Sequence, residues 1–276
     1  MRTLMLHGHS TSSFIFKAQS GPVRSKLGSS FQFDFIDGPY TCPPPKGLRL
    51  VLWKAYKWME TPGVDSIRRS VQWLLDHIEK NGPYDCICCF SKSSAVVAAL
   101  ILYHAREVAS GSDKPLPFKS AIFINGSIEY SVLEDLGLPI SEEAREIHSK
   151  TEDMVKAKVD AMSNLASSLV KPNGLWEDTS QLLHDPKALP PPSSCFGLDM
   201  TVFPPELVIN IPTVHMYGGK DPICPSSIQL AYLCDPKKRV LYDHQGGHDV
   251  PRTPEVVADM VAMFKRLRRD IRSTAP

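Results

Sequence analysis

The stretch YDCICCFSKSSAVVAALILYH, residues 84–104, decides the fold of this chain. Its first part, Tyr84–Phe90, is short and apolar, which is typical of a buried strand. Its second part is rich in alanine and leucine and predicts a helix over Ser94–Val108. Ser91 lies in the turn between them, so the stretch predicts a strand that leads directly into a helix, with a serine at the junction.

Apolar strands and amphipathic helices alternate on both sides of this unit. Strands joined by helices connect through right-handed crossovers, which produces a mostly parallel sheet with helices on both faces. The sequence therefore predicts an α/β fold, whose chemistry lies at the carboxyl ends of the strands. The other predicted strands are Arg2–Leu6, Phe31–Ile36, Ala121–Ile124, Thr213–Tyr217 and Arg239–Tyr242, and the other predicted helices are Val64–Ile78, Ser226–Leu233 and Glu255–Leu267.

The alternation stops between Ser127 and Asn210. Apolar residues at helical spacing predict a helix over Ser141–Leu169, and a segment rich in proline follows it. An insertion between two sheet strands on the carboxyl side lies over the active site, so we expect a helical cap or lid at about residues 127–210. The alternative to a lid is a packed peripheral helix with no role in substrate access. The whole chain, residues 1–276, is predicted to form a single domain.

The composition argues against two classes of partner. The 276 residues include 31 Lys and Arg against 30 Asp and Glu, and a net charge of +1 provides no field for binding polyphosphate. The longest apolar run, Ala95–Leu102, is too short to cross a bilayer, and the first residues lack the charged region of a signal peptide. We therefore expect no nucleic-acid partner and no membrane partner.

The seven cysteines predict a reducing environment. An odd number of cysteines without an export signal is typical of reduced thiols, so we predict a cytoplasmic protein. Cys86, Cys88 and Cys89 lie in an apolar strand whose side chains alternate between two faces. We interpret them as buried strand residues rather than metal ligands, because free cysteine behaves as a small apolar residue. No metal or organic cofactor is predicted.

Three reactive side chains follow three of the predicted strands. Ser91 follows the strand of the opening stretch, Asp221 follows a Gly-Gly turn, and His248 follows a second Gly-Gly pair. A serine hydroxyl needs a base to become a nucleophile, and an imidazole base needs a carboxylate to orient it. The order Ser, Asp, His is that of α/β-hydrolases. We predict Ser91 as nucleophile, His248 as base and Asp221 as acid, with Asp235 and Asp243 as less favoured alternatives for the acid.

Acyl transfer by such a serine also needs donors for the oxyanion. One predicted donor is the backbone N–H of Lys92, and the other is the backbone N–H of His9 or Ser10 in the turn after the first strand. We expect His7 to brace this turn by hydrogen bonds, whereas a metal site at His7 and His9 is the alternative. His244, a few residues before the predicted base, is interpreted as a strand-end residue.

Five motifs occur in a particular order along the chain: Leu6-His7-Gly8, Asn81-Gly82-Pro83-Tyr84-Asp85, Phe90-Ser91, Gly218-x-x-Asp221-Pro222 and Gly246-Gly247-His248-x-Val250-Pro251. Together they resemble the fungal serine hydrolase family called FSH, over about residues 2–126 and 211–267. The resemblance implies an α/β-hydrolase fold, hydrolase activity, and catalytic roles for Ser91, Asp221 and His248. That family contains small esterases and thioesterases that release polyketides from fungal synthases, so a role in secondary metabolism is also implied.

The turn around the serine departs from the Gly-x-Ser-x-Gly pattern of the family. Cys89 and Ser93 replace the two glycines, and Lys92 replaces a common glutamine. We expect the small side chains to fit with some crowding, and we expect the Lys92 ammonium either to assist an anionic substrate or to point to solvent. The altered turn leaves open a repurposed fold, namely a cyclase, an isomerase or a ligand-binding pseudoenzyme.

These observations predict a serine hydrolase that cleaves an ester or thioester through an acyl-enzyme. The expected substrate is a small-molecule or carrier-bound acyl chain that resembles a polyketide, with an acyl carrier domain as a candidate partner. A general carboxylesterase is the nearest alternative. Large side chains from the insertion and from the loop after Pro39 are candidates for the lining of an apolar pocket, although plain core packing is the favoured interpretation of any one of them: Trp53, Tyr56, Trp58, Met154, Met162, Trp176, Phe196 and Phe203.

Overall fold

A six-stranded parallel sheet forms the centre of the protein. The computed structural model describes residues 1–49, 51–166 and 174–273. The sheet strands are β1 (Arg2–Leu6), β2 (Gln32–Ile36), β5 (Cys86–Phe90), β6 (Ser120–Ile124), β7 (Thr213–Tyr217) and β8 (Arg239–Asp243). Their order is β2-β1-β5-β6-β7-β8, and each neighbouring pair runs parallel. The predicted α/β architecture is therefore confirmed.

Helices cover both faces of the sheet, as the alternating pattern predicts. Those on one face are α3 (Val64–Asn81), α4 (Ser93–Ala109) and α7 (Cys224–Tyr232), and those on the other face are α1 (Ser13–Gln19), α2 (Gly21–Leu27) and α8 (Pro254–Ser273). The predicted helix bounds were too short by a few residues at several ends. Over the described ranges, no helix combines the length and the apolar character needed to cross a bilayer.

The side chains of β5 alternate between the two layers of the core. Cys86 and Cys88 pack in the cluster that contains Met5, whereas Cys89 packs in the opposite cluster. All three cysteines are buried, which confirms their interpretation as strand residues. Because every residue of β5 is buried, this strand is covered on both faces and holds a central position in the sheet.

The segment between β6 and β7 is mostly helical at its start and irregular at its end. It contains α5 (Tyr130–Asp135) and α6 (Glu142–Ala166), followed by short 3-10 turns at Pro192–Ser194 and Pro205–Leu207. The predicted helix over Ser141–Leu169 is thus observed up to Ala166, and its last predicted residues lie outside the described part of the chain. Several of the segment's apolar side chains join the main core: Ala144, Leu198, Phe203, Leu207 and Ile209.

Two features near the amino terminus were not predicted from the sequence. Helices α1 and α2 follow the first strand, and α1 begins where the Ser12 hydroxyl accepts a hydrogen bond from the Ile15 N–H. A small antiparallel sheet pairs β3 (Tyr40–Cys42) with β4 (Ala55–Lys57). Elements of this length have too few residues to show a clear periodicity, so the sequence pattern missed them.

A buried histidine on β7 makes the stability of the fold depend on pH. The His215 ring stacks on Phe123 at 5.0 Å between centroids, and burial, helped by the nearby Arg239 charge, lowers the pKa of His215 from 6.5 to about 3. Below about pH 6.5 the unfolded chain binds a proton that the folded chain excludes, so the free energy of unfolding falls with falling pH. At pH 5 this loss is roughly 2 kcal/mol.

We predict that His215→Phe removes roughly 2 kcal/mol of the difference between the free energies of unfolding at pH 7 and pH 5. Phenylalanine preserves the aromatic stack but cannot bind a proton in the unfolded chain. Urea denaturation at the two pH values measures the difference, and His104→Phe, at a partly exposed position, controls for the loss of one imidazole. A pH dependence equal to that of the wild type would contradict the assignment to His215.

Candidate active site

Ser91 lies at a sharp turn between β5 and α4. Its backbone φ is 57°, in the left-handed region that side chains other than glycine rarely adopt. The Ser91 N–H donates to the Ile124 carbonyl at 2.9 Å, which ties the turn to the end of the neighbouring strand β6. The strained backbone lifts the serine side chain out of the sheet at its carboxyl edge, the geometry of a nucleophile elbow.

The two residues that replace glycines at this turn are fully buried and hydrogen-bonded. The Ser93 hydroxyl accepts the Phe90 N–H at 3.1 Å and lies 3.1 Å from the Leu6 carbonyl. The Cys89 thiol lies 3.5 Å from the Ile122 carbonyl. The expected crowding is therefore accommodated, because each replacement side chain finds a polar partner in the adjoining strands.

Ser91, His248 and Asp221 form one hydrogen-bonded line. The Ser91 Oγ lies 2.8 Å from His248 Nε2, and His248 Nδ1 lies 2.7 Å from Asp221 Oδ2. An ionised carboxylate can only accept, so Nδ1 carries the proton and Nε2 is free to accept from the serine hydroxyl. Asp221 is fully buried, and its Oδ1 accepts the Ile223 N–H at 3.0 Å.

The loops that carry the aspartate and the histidine touch each other directly. A Cβ at Gly218 would lie 2.2 Å from the Gly246 carbonyl oxygen, so only glycine permits this approach. The Lys220 N–H donates to the same carbonyl at 3.0 Å. Asp243 accepts the Gly219 N–H at 2.9 Å and so braces the loop of Asp221. Of the three candidate carboxylates, Asp221 is the one hydrogen-bonded to His248.

The turn after β1 lies against the serine. A Cβ at Gly8 would lie 2.8 Å from the Phe90 ring and 3.5 Å from the Ser91 Cβ. Three backbone N–H groups are predicted as oxyanion donors, those of His9, Ser10 and Lys92. None of them donates to another group in the part of the chain that the structure describes. Free N–H groups beside a nucleophile are what an oxyanion needs.

His7 braces this turn from behind, as expected. Its Nε2 accepts the Gly38 N–H at 3.0 Å, so Nδ1 carries the proton and donates to the Gly8 carbonyl at 2.6 Å. Trp58 donates its indole N–H to the His7 carbonyl at 2.7 Å. Burial is the main cause of a lowered pKa of His7, which keeps the ring neutral and able to accept.

Both expectations for the Lys92 ammonium were wrong. It lies 2.5 Å from Glu129 and 2.8 Å from Glu152 of α6, so it neither points to solvent nor remains free for an anionic substrate. Burial by itself lowers the pKa of Lys92, but the two carboxylates more than offset this and raise it. The side chain of Lys92 thus connects the turn of Ser91 to the insertion. The sequence does not reveal this contact, because Glu129 and Glu152 lie far from Lys92 along the chain.

Only some of the candidate pocket residues lie near the site. Trp58 and Phe203 are core residues, in agreement with the core-packing interpretation, whereas Trp53 is fully exposed. The side chain of Met162 lies outside the described part of the structure. Trp176 does lie against the loop of His248, because a Cβ at Gly247 would overlap its indole at 1.9 Å. Large apolar residues outside strands give no signal that distinguishes a pocket wall from the core.

Two buried residues beside the site were not predicted to belong to it. Asn125 directly follows β6, and His244 directly follows β8 and is more than the strand-end residue that we expected. Their side chains are hydrogen-bonded to each other at 3.0 Å. The sequence did contain a signal for Asn125, because it is a polar residue directly after a predicted strand, as Ser91 is.

The parallel sheet, with a serine at the strained turn after β5, defines an α/β-hydrolase. Residues 1–260 match the family described as serine hydrolase (FSH1). The chain therefore belongs to this family of serine hydrolases, which confirms the resemblance drawn from the five motifs.

Named relatives and solved structures are similar over nearly the whole chain. Esterase FPY3 of Fusarium mangiferae is 28% identical over 97% of this chain and 96% of its own length. Esterase alnB of Emericella nidulans is 28% identical over 93% of this chain and 92% of its own. Among solved structures, SOBER1 of Arabidopsis thaliana has a TM-score of 0.46 and 14% identity, over 97% of this chain and 98% of that protein.

We predict that Ser93→Gly, which restores the family's glycine, lowers the free energy of unfolding by about 1–3 kcal/mol. The change leaves the Phe90 N–H buried without its partner. Chemical denaturation measures the loss. Ser94→Ala is the matched control, because the Ser94 hydroxyl is equally buried but accepts no backbone N–H in the part of the chain that the structure describes. A Ser93→Gly protein as stable as the wild type would show that the hydroxyl has no such role.

Proposed function

We propose that this protein is a serine esterase in which Ser91, His248 and Asp221 act as the catalytic triad. The hydrogen-bonded line of 2.8 Å and 2.7 Å between these side chains is the observation that supports the proposal. His248 Nε2 accepts the serine proton as Ser91 Oγ attacks the carbonyl carbon of the substrate. Asp221 stabilises the imidazolium that forms, and it holds the proton of Nδ1 in place throughout.

The oxyanion of the tetrahedral intermediate is bound by backbone N–H groups. We assign these to Lys92 and to His9 or Ser10, whose N–H groups are free in the described structure. Collapse of the intermediate expels the alcohol or thiol, which takes the proton from His248, and leaves an acyl group on Ser91. His248 then deprotonates a water molecule that attacks the acyl carbonyl, and as this second intermediate collapses His248 returns the proton to Ser91 Oγ and the acid is released. Each step uses only protein groups and water.

The insertion acts as a lid in this proposal. The Lys92 ion pair with Glu152 joins α6 to the nucleophile turn, the pair with Glu129 joins the start of α5 to it, and Trp176 covers Gly247 beside the catalytic histidine. Lys158 of α6 donates to the carbonyls of Leu175 and Asp178 at 3.0 Å, which positions the loop that carries the tryptophan. A cover of this kind excludes water and contacts the acyl part of the substrate.

The favoured substrate is a bulky, apolar acyl ester or thioester, of the polyketide type released from a carrier-bound state. An aromatic cover over the site supports an apolar acyl chain. Relatives named esterases support ester cleavage. An acyl carrier domain is the proposed partner for a thioester, and a small soluble ester is the alternative substrate. Seven unpaired cysteines support a cytoplasmic location, where thiols stay reduced.

The replaced glycines had left a repurposed fold as an alternative. Ser93 and Cys89 are hydrogen-bonded at the turn, and Ser91 keeps its contact with His248. A ligand-binding pseudoenzyme would not need this complete serine–histidine–aspartate line, so the geometry supports acyl-enzyme chemistry, in which water as the acceptor gives hydrolysis.

A fluorophosphonate probe is predicted to label Ser91 in the wild type. Ser91→Ala removes the attacking oxygen and is expected to abolish labelling. His248→Ala is expected to lower kcat by roughly 10⁴- to 10⁶-fold, because both proton transfers lose their base. Gel-based labelling and p-nitrophenyl ester hydrolysis measure these effects, with Ser110→Ala, at an exposed position, as the control. A folded wild type that is not labelled would disprove the proposed function.

The size of the acyl group distinguishes the proposed substrate from its alternative. We predict that intact mass spectrometry after incubation with a series of acyl thioesters detects an adduct on the wild type and none on Ser91→Ala. Adduct formation is expected to be fastest for long apolar acyl groups, because the insertion provides apolar contacts to the chain. Faster acylation by acetyl than by octanoyl thioester would instead favour a carboxylesterase of small esters.

A further inference from the structure

Asn125 is a fully buried residue at the carboxyl end of β6. Its φ is 43°, in the left-handed region, which asparagine adopts more readily than most residues. Its backbone N–H donates to the Met216 carbonyl of β7 at 2.7 Å. The rigid ends of two central strands therefore fix the position from which its side chain extends.

The side-chain amide of Asn125 holds the loop of His248 on both sides of the histidine. Its Nδ2 donates one hydrogen to the Gly247 carbonyl at 3.1 Å and the other to the Asp249 carbonyl at 3.0 Å. These carbonyls belong to the residues immediately before and after His248. Both amide hydrogens are therefore used to fix the backbone from which the imidazole extends.

His244 determines which way the Asn125 amide points. Its Nδ1 lies 3.2 Å from the Gly246 N–H and can only accept that hydrogen, so its proton is on Nε2. Nε2 then donates to the Asn125 Oδ1 at 3.0 Å. Burial is the main cause of a lowered pKa of His244, in keeping with the neutral ring that this arrangement requires. The amide oxygen thus faces His244, and the amide nitrogen faces the loop.

The loop needs this support because of its composition. Gly246 and Gly247 precede the histidine, and glycine has more conformational freedom in a loop than any other residue. A base displaced by about 1 Å from its partner can lower the rate by roughly 100-fold. Two hydrogen bonds from a rigid strand end restrict the peptide groups on either side of the imidazole.

We propose that Asn125 is a positioning residue for His248, and that His244 acts through it by fixing the orientation of its amide. This inference rests on the proposed function, in which His248 is the catalytic base. It assigns to Asn125 and His244 an effect on kcat that is separate from substrate binding, since neither residue is hydrogen-bonded to Ser91 or Asp221 in the described structure.

Asn125→Asp provides the first test. The new carboxylate can still accept from His244, but it has no hydrogens for the Gly247 and Asp249 carbonyls and repels them. We expect kcat to fall by at least about 10-fold with KM within about twofold of the wild type, and the fluorophosphonate labelling rate to fall in parallel. Asn210→Asp makes the same chemical change at an exposed asparagine and is the matched control.

Substitutions of His244 provide the second test. Glutamine retains a donor for Asn125 and an acceptor for the Gly246 N–H, whereas phenylalanine fills the site but retains neither. We expect His244→Phe to lower kcat by at least about 10-fold and His244→Gln to recover most of that loss. Recovery by glutamine separates a hydrogen-bonding role from simple packing, which phenylalanine would satisfy.

Two results would overturn the proposal. One is a folded Asn125→Asp protein with the wild-type kcat, and the other is equal kcat for His244→Phe and His244→Gln. If Asn125→Asp does not fold, as thermal denaturation would reveal, the pair of His244 variants decides the matter. Absence of fluorophosphonate labelling in the wild type would defeat the proposed function instead. In that case, the low-field proton resonance of His248 Nδ1, weakened in His244→Phe but not in His244→Gln, still tests the positioning.

Discussion

The candidate active site depends on a single imidazole that contacts a carboxylate and a hydroxyl at the same time. His248 reaches Asp221 on one side and Ser91 on the other, although these residues lie far apart along the chain. Parallel strands bring all three to the same edge of the sheet. The close approach of Gly218 and Gly246 then brings two of the loops together.

The turn around Ser91 forms without glycine at positions 89 and 93, where the family usually has it. Ser91 itself holds the left-handed backbone conformation, so the strain lies at the serine and not at its neighbours. The neighbouring positions require a small side chain whose polar atom has a partner. Ser93 meets this requirement through the Phe90 N–H, and Cys89 meets it through the Ile122 carbonyl. A larger or unpartnered side chain at either position would force the two adjoining strands apart.

The insertion is both part of the core and part of the site. Leu198 and Leu207 pack with the helices below, which anchors the segment. Lys92 and Glu152 connect α6 to the turn of Ser91, and Trp176 lies against the loop of His248. A change in the position of α6 would therefore act directly on Lys92, the residue that follows Ser91.

Periodicity was enough to predict the parallel sheet and the buried cysteines, and the order of reactive residues along the chain selected Ser91, Asp221 and His248, whose side chains the fold brings together. These follow from local patterns, because strand alternation and strand-end turns are encoded by neighbouring residues. The partners of Lys92, the core positions of Trp58 and Phe203, and the pairing of Asn125 with His244 were decided only in the tertiary structure. A side chain's partner depends on which distant segments the fold brings within hydrogen-bond distance, and no local pattern of residues records that.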